Sequence, residues 1–366
     1  MKILKIIILI FNIVALLLLL GSTAAGLVPP SRFMGFSLLS YAYLYLLIIN
    51  VVFVVLWLLL SSKWFLLSLA GIVLRYSFLP LYFQVGGTEA APDEVAGSPE
   101  VLKVMTYNVH HCVGTGLDSK VQKSRIDSNM VELLRIVGEE KPDVISIQEF
   151  QKQGDTVNLV DRMKGLGYKY IAVAHGVKDI SDEVVFSRVP IVDTVTVDGH
   201  SKYYVNLLVG GDTVHLYNLH LNSYGLDEKD QKNIHDISHG NVDSVAGRST
   251  IHKFTSTILA HEKEWGILKA SLESHGGRVV VTGDFNETPA SYFYQQCRRL
   301  LVDSYCEVGQ GFSTTYHGSF TRQRTGTFPA FRIDLILHSA DIEALSYKRI
   351  KSDVSDHYPV IVELKL

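Results

Sequence analysis

Residues 1–89 carry only six charged side chains, Lys2, Lys5, Arg32, Lys63, Arg75 and Glu89, and no histidine. So little charge cannot cover a water-facing surface, which confines this part of the chain to apolar surroundings. Three apolar runs occupy it, at about 3–20, 38–60 and 64–80. The first is almost all Ile and Leu, broken by Lys5 and Asn12. The second has no charge over its whole length, enough as a helix to cross about 30 Å of hydrocarbon. The third is shorter and is expected to stop at Pro80, with Arg75 close enough to its end to snorkel to the interface. Lys2 and Lys5, the run after them and Ser22-Thr23-Ala24-Ala25 also have the form of a cleavable signal peptide, so the first run has two readings. Under the positive-inside rule Lys2, Lys5 and Lys63 stay cytoplasmic, and a crossing third run puts the rest of the chain outside. If that run does not cross, the orientation inverts. The expectation is a multi-pass transmembrane region over 1–83, with the lipid bilayer as its partner and an extracytoplasmic domain behind it.

The rest of the chain is different in kind. It holds 29 basic and 36 acidic residues, a formal −7, and all fourteen histidines. Residues 84–99, with Gly86, Gly87, Pro92, Gly97 and Pro99, read as a short flexible linker. Residues 100–366 are ample for one large domain core. An acidic domain lacks the electrostatic footprint of tight non-specific DNA binding. Three cysteines say little: Cys297 and Cys306 could pair in an oxidising compartment, leaving Cys112 free.

Within this domain, Val279-Val280-Val281-Thr282-Gly283-Asp284-Phe285-Asn286 reads as a buried strand that stops abruptly. Asp284 and Asn286 then share one side while Phe285 points inward. They are either a helix cap or polar groups at a functional rim. The same form recurs. Val101–Val109 is a strand running into Asn108 and His110-His111; a helix capped by Asp127 or Ser128 follows, with Met130, Leu133, Leu134 and Val137 on its apolar face. Val144–Ile147 ends at Gln148-Glu149. Further strands are expected at Tyr168–Ala174, Glu183–Ser187, Thr194–Val197, Lys202–Val209 and Thr213–Leu221, the last bearing Asn218 and His220. Residues 222–249 are too long for a simple connection and read as an active-site or substrate loop. Its His235 and His239, at i,i+4, lack an evident third ligand and read as a solvated pair. An amphipathic helix covers Thr250–Ser274. Asp334 opens a strand, and Asp356-His357 precedes the strand Val360–Leu366.

Asn108, Glu149, His220, Asp284 with Asn286, Asp334, and Asp356 with His357 therefore sit at strand ends. Such a set suits cleavage of a phosphate ester. A hard divalent cation takes oxygen ligands, so Glu149 with Asn108 or Asp356 is a candidate metal site for Mg²⁺, with Mn²⁺ as an alternative. Asp284, His357 or both could orient the attacking water. Asp334 would hold the tautomer and charge of His357. Amide and imidazole donors on Asn286, Asn108 and His220 could take the transition-state oxyanion.

The pieces TYNVHH, ISIQEF, VVFSRVPI, YNLHLNS, VVVTGDFNETP, FRIDLIL and SDHYPVIV, in this order over about residues 101–364, resemble the endonuclease/exonuclease/phosphatase superfamily. The resemblance implies an α/β fold, a four-layered sandwich of two packed mixed β-sheets flanked by helices. It implies hydrolysis of phosphodiesters or phosphomonoesters by metal-assisted attack of water. Glu149, Asn108 and Asp356 match its metal-side residues, Asp284 and Asn286 the pair that orients nucleophile and phosphate, and Asp334 with His357 its catalytic pair. His220 matches the histidine of DNase-like and sphingomyelinase-like members, which leans away from abasic-site repair. Ahead of VVFSRVPI the usual asparagine-glycine approach is replaced by Ser181-Asp182-Glu183. The substrate is a phosphoester: nucleic acid, phospholipid or a small phosphorylated molecule. A non-catalytic binding module on the same fold would show lost site residues, and no main motif position is lost.

Overall fold

β-Branched runs end up at the centre of sheets, where both faces are covered. In the computed structural model, residues 2–91, 98, 100–114, 119–152, 154, 156–175, 182–197, 203–225, 230, 244–274, 276–318 and 331–366 are described. The strands are Phe83–Gln84 (β1), Val101–Asn108 (β2), Val144–Phe150 (β3), Tyr170–His175 (β4), Asp182–Ser187 (β5), Ile191–Thr196 (β6), Tyr203–Val209 (β7), Asp212–His220 (β8), Arg278–Asp284 (β9), Val302–Asp303 (β10), Gly311–Phe312 (β11), Asp334–His338 (β12), Glu343–Arg349 (β13) and Val360–Lys365 (β14). Two six-stranded sheets form, ordered β13-β14-β2-β3-β5-β4 and β10-β12-β9-β8-β7-β6. Each is antiparallel except for one central parallel pair, β2 with β3 and β8 with β9. Both pairs are joined by a helix, Ser119–Glu140 and Ser244–Ser274.

Three apolar clusters fill the gaps between four layers. Met130, Leu133 and Val137 of the first crossover helix pack on Met105, Ile145 and Phe186. Val104, Val205, Leu216, Val280 and Val362 lie between the sheets. Trp265, Leu268 and Leu272 of the second crossover helix cover Tyr217 and Val281, beside Phe293 of the short helix Tyr292–Cys297. The expected four-layered α/β sandwich is the fold observed. Both crossover helices start earlier than periodicity placed them. Ser128 lies inside the first, its Oγ donating to the Arg125 carbonyl, and Asp127 accepts from Thr156 N and Oγ1 instead of capping. His235 and His239, with most of 222–249, fall outside the described residues.

The charge-poor N-terminus forms helices Lys2–Ala24 (α1), Met34–Ser40 (α2), Tyr43–Leu59 (α3) and Phe65–Leu74 (α4). The first apolar run is one helix of 23 residues, but the second is bent by 73° between α2 and α3. Among the described residues, one helix is long and apolar enough to cross a membrane, or two if the bent pair is one span. The third run, expected to cross, does not form one long helix. α4 has ten residues, about 15 Å at 1.5 Å each, and a 3-10 segment, Tyr76–Leu81, follows with Pro80 inside it. Proline cannot donate the next helical hydrogen bond, so the α pattern stops before it.

The bundle is tied by a buried polar knot. Asn12 of α1 donates to Ser68 Oγ of α4 at 2.5 Å and accepts from Trp57 Nε1 of α3 at 2.8 Å. Ser68 Oγ in turn donates to Asn50 Oδ1 at 2.9 Å. At one end Lys5 Nζ reaches the Leu60 carbonyl. At the other the bundle seats on the sandwich: Gln296 Nε2 donates to the Gly26 carbonyl, Ser31 to Glu262, and Tyr41 to Glu287. Tyr43 stacks on Tyr82 with centroids 5.1 Å apart. Residues 84–91, the start of the expected flexible linker, are tied down: β1 pairs with β11, and Thr88 and Ala91 bond to Val308 and Glu363. All three cysteines are free thiols, with Cys297 buried in the outer cluster.

Candidate active site

The two parallel pairs end on the same side of the sandwich, and their last residues form the floor of the site. β2 ends at Asn108, β8 at His220 and β9 at Asp284, while Glu149 lies one residue short of the end of β3. Neighbouring strands complete it. Asp334 opens β12 directly opposite Asp284 in the antiparallel register. His357 leads into β14, whose Val360 pairs with Thr106 of β2. Carboxyl ends of parallel strands are where open α/β sheets gather ligand-binding groups; here two sheets contribute at once.

The backbone at this rim is special. Gly283 has φ +140°, and a Cβ there would lie 1.8 Å from the Leu219 carbonyl oxygen, so only glycine lets β8 and β9 end side by side. Seven non-glycine residues among those described have positive φ, and five are here: His110, His111, Cys112, Glu149 and Asn286. Each costs on the order of 1–3 kcal/mol, and such strain gathers at functional sites. Arg332, just ahead of Asp334, is fixed by a fully buried ion pair with Asp303 at 2.8 Å and by bonds to the Tyr294 hydroxyl and the Leu81 carbonyl. Loss of one member of such a pair costs about 3–5 kcal/mol.

All eight side chains singled out in the sequence meet in one network. Asn108 Nδ2 donates to Asp284 Oδ2 at 3.0 Å and to Glu149 Oε1 at 3.2 Å. Asn286 donates its backbone N–H to Asp284 Oδ1 at 2.8 Å and its amide to the Leu221 carbonyl. His220 Nε2 lies 3.7 Å from Glu149 and 3.8 Å from Asp284, shut from solvent without a hydrogen bond. His357 Nδ1 contacts both oxygens of Asp334, at 2.9 and 3.1 Å, and its Nε2 faces Asp284 Oδ2 at 3.7 Å. Asp356 Oδ1 is 3.9 Å from His357 Nε2.

Burial and charge set the protonation. Burial alone would neutralise His357, but the Asp334 and Asp284 carboxylates hold its pKa well above the ordinary imidazole value. Asp284 is pushed up by burial, which the His357 and His220 imidazoles oppose. Burial also acts to raise Glu149, yet the imidazoles of His220, His110 and His111 and the Asn108 amide bring it below the usual carboxylate value. The pair His357–Asp334 is thus an imidazolium held by a buried carboxylate beside a second one.

Two places offer oxygen ligands. Asp284, Asp334 and His357 have potential ligand atoms within 4.8 Å of one another. There Asp334 is already spent on His357. Glu149 and Asp356 fit a hard cation better: about a fifth of each side chain is exposed. Among the described residues, the Asp356 carboxylate accepts only one long hydrogen bond, from Ser355 Oγ at 3.4 Å.

Sequence reasoning gave no role to four neighbours. His110 and His111 sit 3.3 Å from Asp356 and 3.6 Å from Glu149. Tyr316 meets the His357 ring edge-on at 5.0 Å. Glu183, from the segment that lacks the usual asparagine-glycine approach, is buried 4.0 Å from His220 Nδ1. For His110 and His111 the residue types were a signal; nothing in the spacing marked Tyr316.

Comparison with curated proteins gave no match. A model described as "Domain of unknown function (DUF8431)" matches residues 4–82. Solved structures similar to the chain include an endonuclease/exonuclease/phosphatase family protein from Leptotrichia buccalis, 16% identical over 72% of this chain and 100% of that one, TM-score 0.48. A 3′ phosphatase from Neisseria bound to product DNA hairpin is 17% identical over 72% and 100%, TM-score 0.46. A mannosyl-6-phosphatase from Bacteroides thetaiotaomicron is 17% identical over the same shares, TM-score 0.44. The model of the Endonuclease/Exonuclease/phosphatase family matches residues 105–357, more than half of the chain, and the chain belongs to that family.

Proposed function

We propose that this chain is a membrane-anchored phosphoesterase that uses a divalent cation, Mg²⁺ or alternatively Mn²⁺, to hydrolyse a phosphodiester or phosphomonoester at the bilayer surface. The family acts generally on phosphoesters and is typically divalent-metal dependent. The observation that carries the reading is the gap between Asp284 Oδ2 and His357 Nε2. At 3.7 Å it is too long for a hydrogen bond. A water oxygen or phosphoryl oxygen beside it is within reach of both groups.

Each residue then has a task. Asp284, pinned by the Asn286 backbone and the Asn108 amide, accepts the proton of the attacking water. His357, held charged by Asp334, offers Nε2–H to oxygen that gains charge, and His220 offers a further donor, whereas both N–H groups of Asn108 are given to Asp284 and Glu149. Glu149 and Asp356 would hold the cation, with Asn108 beside Glu149. Bound there, the cation would polarise the phosphoryl oxygen and offset developing charge.

The anchor rests on α1 and on the exposed apolar faces around it, such as Ile3, Phe11, Leu59 and Leu74. So large an apolar surface on the outside of a bundle calls for lipid. Lys2, Lys5 and Lys63 belong to the end remote from the sandwich, where Lys5 meets the Leu60 carbonyl. That arrangement supports the cytoplasmic placement of those lysines and an extracytoplasmic catalytic domain. Membrane tethering and the −7 charge favour lipid or small phosphoesters over DNA.

The test is the full chain in uncharged detergent, assayed with Mg²⁺ or EDTA against DNA, sphingomyelin, glycerophospholipids, inositol phosphates and nucleotides. Metal-dependent release of phosphate or of a phosphorylated headgroup is expected. Turnover of none of them, or turnover untouched by EDTA, would refute the proposal.

A further inference from the structure

Where the helical bundle meets the sandwich, away from the phosphoester site, there is a cleft of about 270 Å³. Thr23 and Leu27 come to it from the end of α1, Arg75 from the end of α4, and Gln295, Arg298 and Arg299 from the helix Tyr292–Cys297 and its exit. Three guanidiniums thus share one cleft, and no carboxylate lines it. Among the described residues none of the three forms a salt bridge, although Arg298 lies over the Tyr294 ring at 6.0 Å.

Three helices end here, and the negative end of each macrodipole is equivalent to roughly half a charge at most. That offsets about one and a half of the three positive charges and leaves about one and a half. Arg75 is half-buried where it lines the cleft. Three guanidiniums with no carboxylate among them suit an anion with several oxygens, and the planar fork of arginine matches phosphate. The rim says what else the anion carries. Leu27, Leu74 and Tyr76 are each more than 60% exposed, and they continue the apolar outer faces of α1 and α4.

We propose that this cleft binds the phosphate of an anionic membrane phospholipid, whose acyl chains lie along the exposed faces of α1 and α4. It rests on the anchor reading above and adds a second, non-catalytic lipid contact. The bound lipid clamps the bundle to the sandwich at the level of the headgroups, so the catalytic domain is held against the bilayer in one orientation.

The test uses the full chain in uncharged detergent micelles, with EDTA present so that no lipid is turned over. Short-chain phosphatidylglycerol, short-chain phosphatidylcholine or inorganic phosphate is added, and the melting temperature is followed. A ligand bound only to the folded state at a hundred times its Kd should raise Tm by about 5 °C. Phosphatidylglycerol alone is expected to do so, and the triple variant Arg75→Gln, Arg298→Gln, Arg299→Gln should lose the rise. Since Arg298 and Arg299 are exposed, their double variant keeps the fold and serves if Arg75→Gln does not. An equal rise in the variants, no rise with any lipid, or the same rise with phosphatidylcholine or inorganic phosphate overturns the proposal. Alkaline extraction of native membranes separates the two readings: a chain that washes off refutes the anchor, whereas an anchored chain with an unmoved Tm refutes the cleft alone.

Discussion

Replacing Asp334 by asparagine removes one buried charge and little volume, so it isolates what that charge does for His357. Asparagine can still accept from His357 Nδ1, where the carboxylate offers 2.9 and 3.1 Å contacts. An ion-paired hydrogen bond becomes one to a neutral acceptor, a loss of about 1–2 kcal/mol. The same loss lowers the His357 pKa by roughly one unit, since one unit is about 1.4 kcal/mol. The folded pKa of His357 lies above its unfolded value, taken as about 6.5. Its stabilisation is therefore fully present below about pH 6.5 and lost as pH rises through the raised value. The stability gap between native chain and variant should follow that course, widest near about pH 6 and closing in alkali. Turnover should fall by about 10²–10⁴-fold, the range of general acid–base contributions. Because the two residues act as a unit, Asp334→Asn with His357→Ala should be scarcely worse than His357→Ala alone. The assay is turnover per folded enzyme for the three variants, with the His357 ring titrated by NMR. Multiplicative losses, or an unmoved His357 pKa, would make Asp334 a strand residue with no share in the chemistry.

Glu149→Gln should raise the Mg²⁺ concentration needed for half-maximal activity and recover partly at high Mg²⁺; full activity at micromolar Mg²⁺ would remove Glu149 from the metal site. Gly283→Ala places a Cβ against the Leu219 carbonyl at φ +140° and should cost at least about 3 kcal/mol, read as a fall in melting temperature; an unchanged Tm would mean that β8 and β9 part without penalty. A reporter active only outside the cytoplasm should be on when fused after Val85 and off when fused at Ser62, and the reverse pattern would show the catalytic domain facing the cytoplasm.

The strand tips were legible because burial punishes a lone carboxylate at the end of a valine run: Asp284 after Val279-Val280-Val281 is conspicuous for that reason. A second regularity was present and overlooked. Two residues before each tip stands another polar residue on the same face: Thr106 before Asn108, Ser146 before Gln148, Asn218 before His220, Thr282 before Asp284. In the structure these meet between the sheets. Thr282 Oγ1 contacts Ser146 Oγ at 2.7 Å, Gln148 Nε2 donates to Asn218 Oδ1 at 2.6 Å, and Gln148 Nε2 also reaches Thr106 Oγ1. Other features were not readable. Glu149 and His111 take a positive φ that no local propensity records. Asp127 looks like a cap by type but is spent on Thr156, 29 residues away. The bend within the second apolar run, at 73°, has no proline to cause it and leaves hydropathy unchanged.

The place of β14 has a bearing on how the protein is made. It lies between β13 and β2, yet it is synthesised some 250 residues after β2. At about 5–20 residues per second the ribosome needs roughly 13–50 s to supply it. During that time α1 to α4 have already left the ribosome, and β2 waits with one edge bare, a liability for mispairing. His357 arrives only with this last piece. A chain halted before β14 therefore carries Asn108, Glu149, His220 and Asp284 but lacks the buried imidazolium that completes the site.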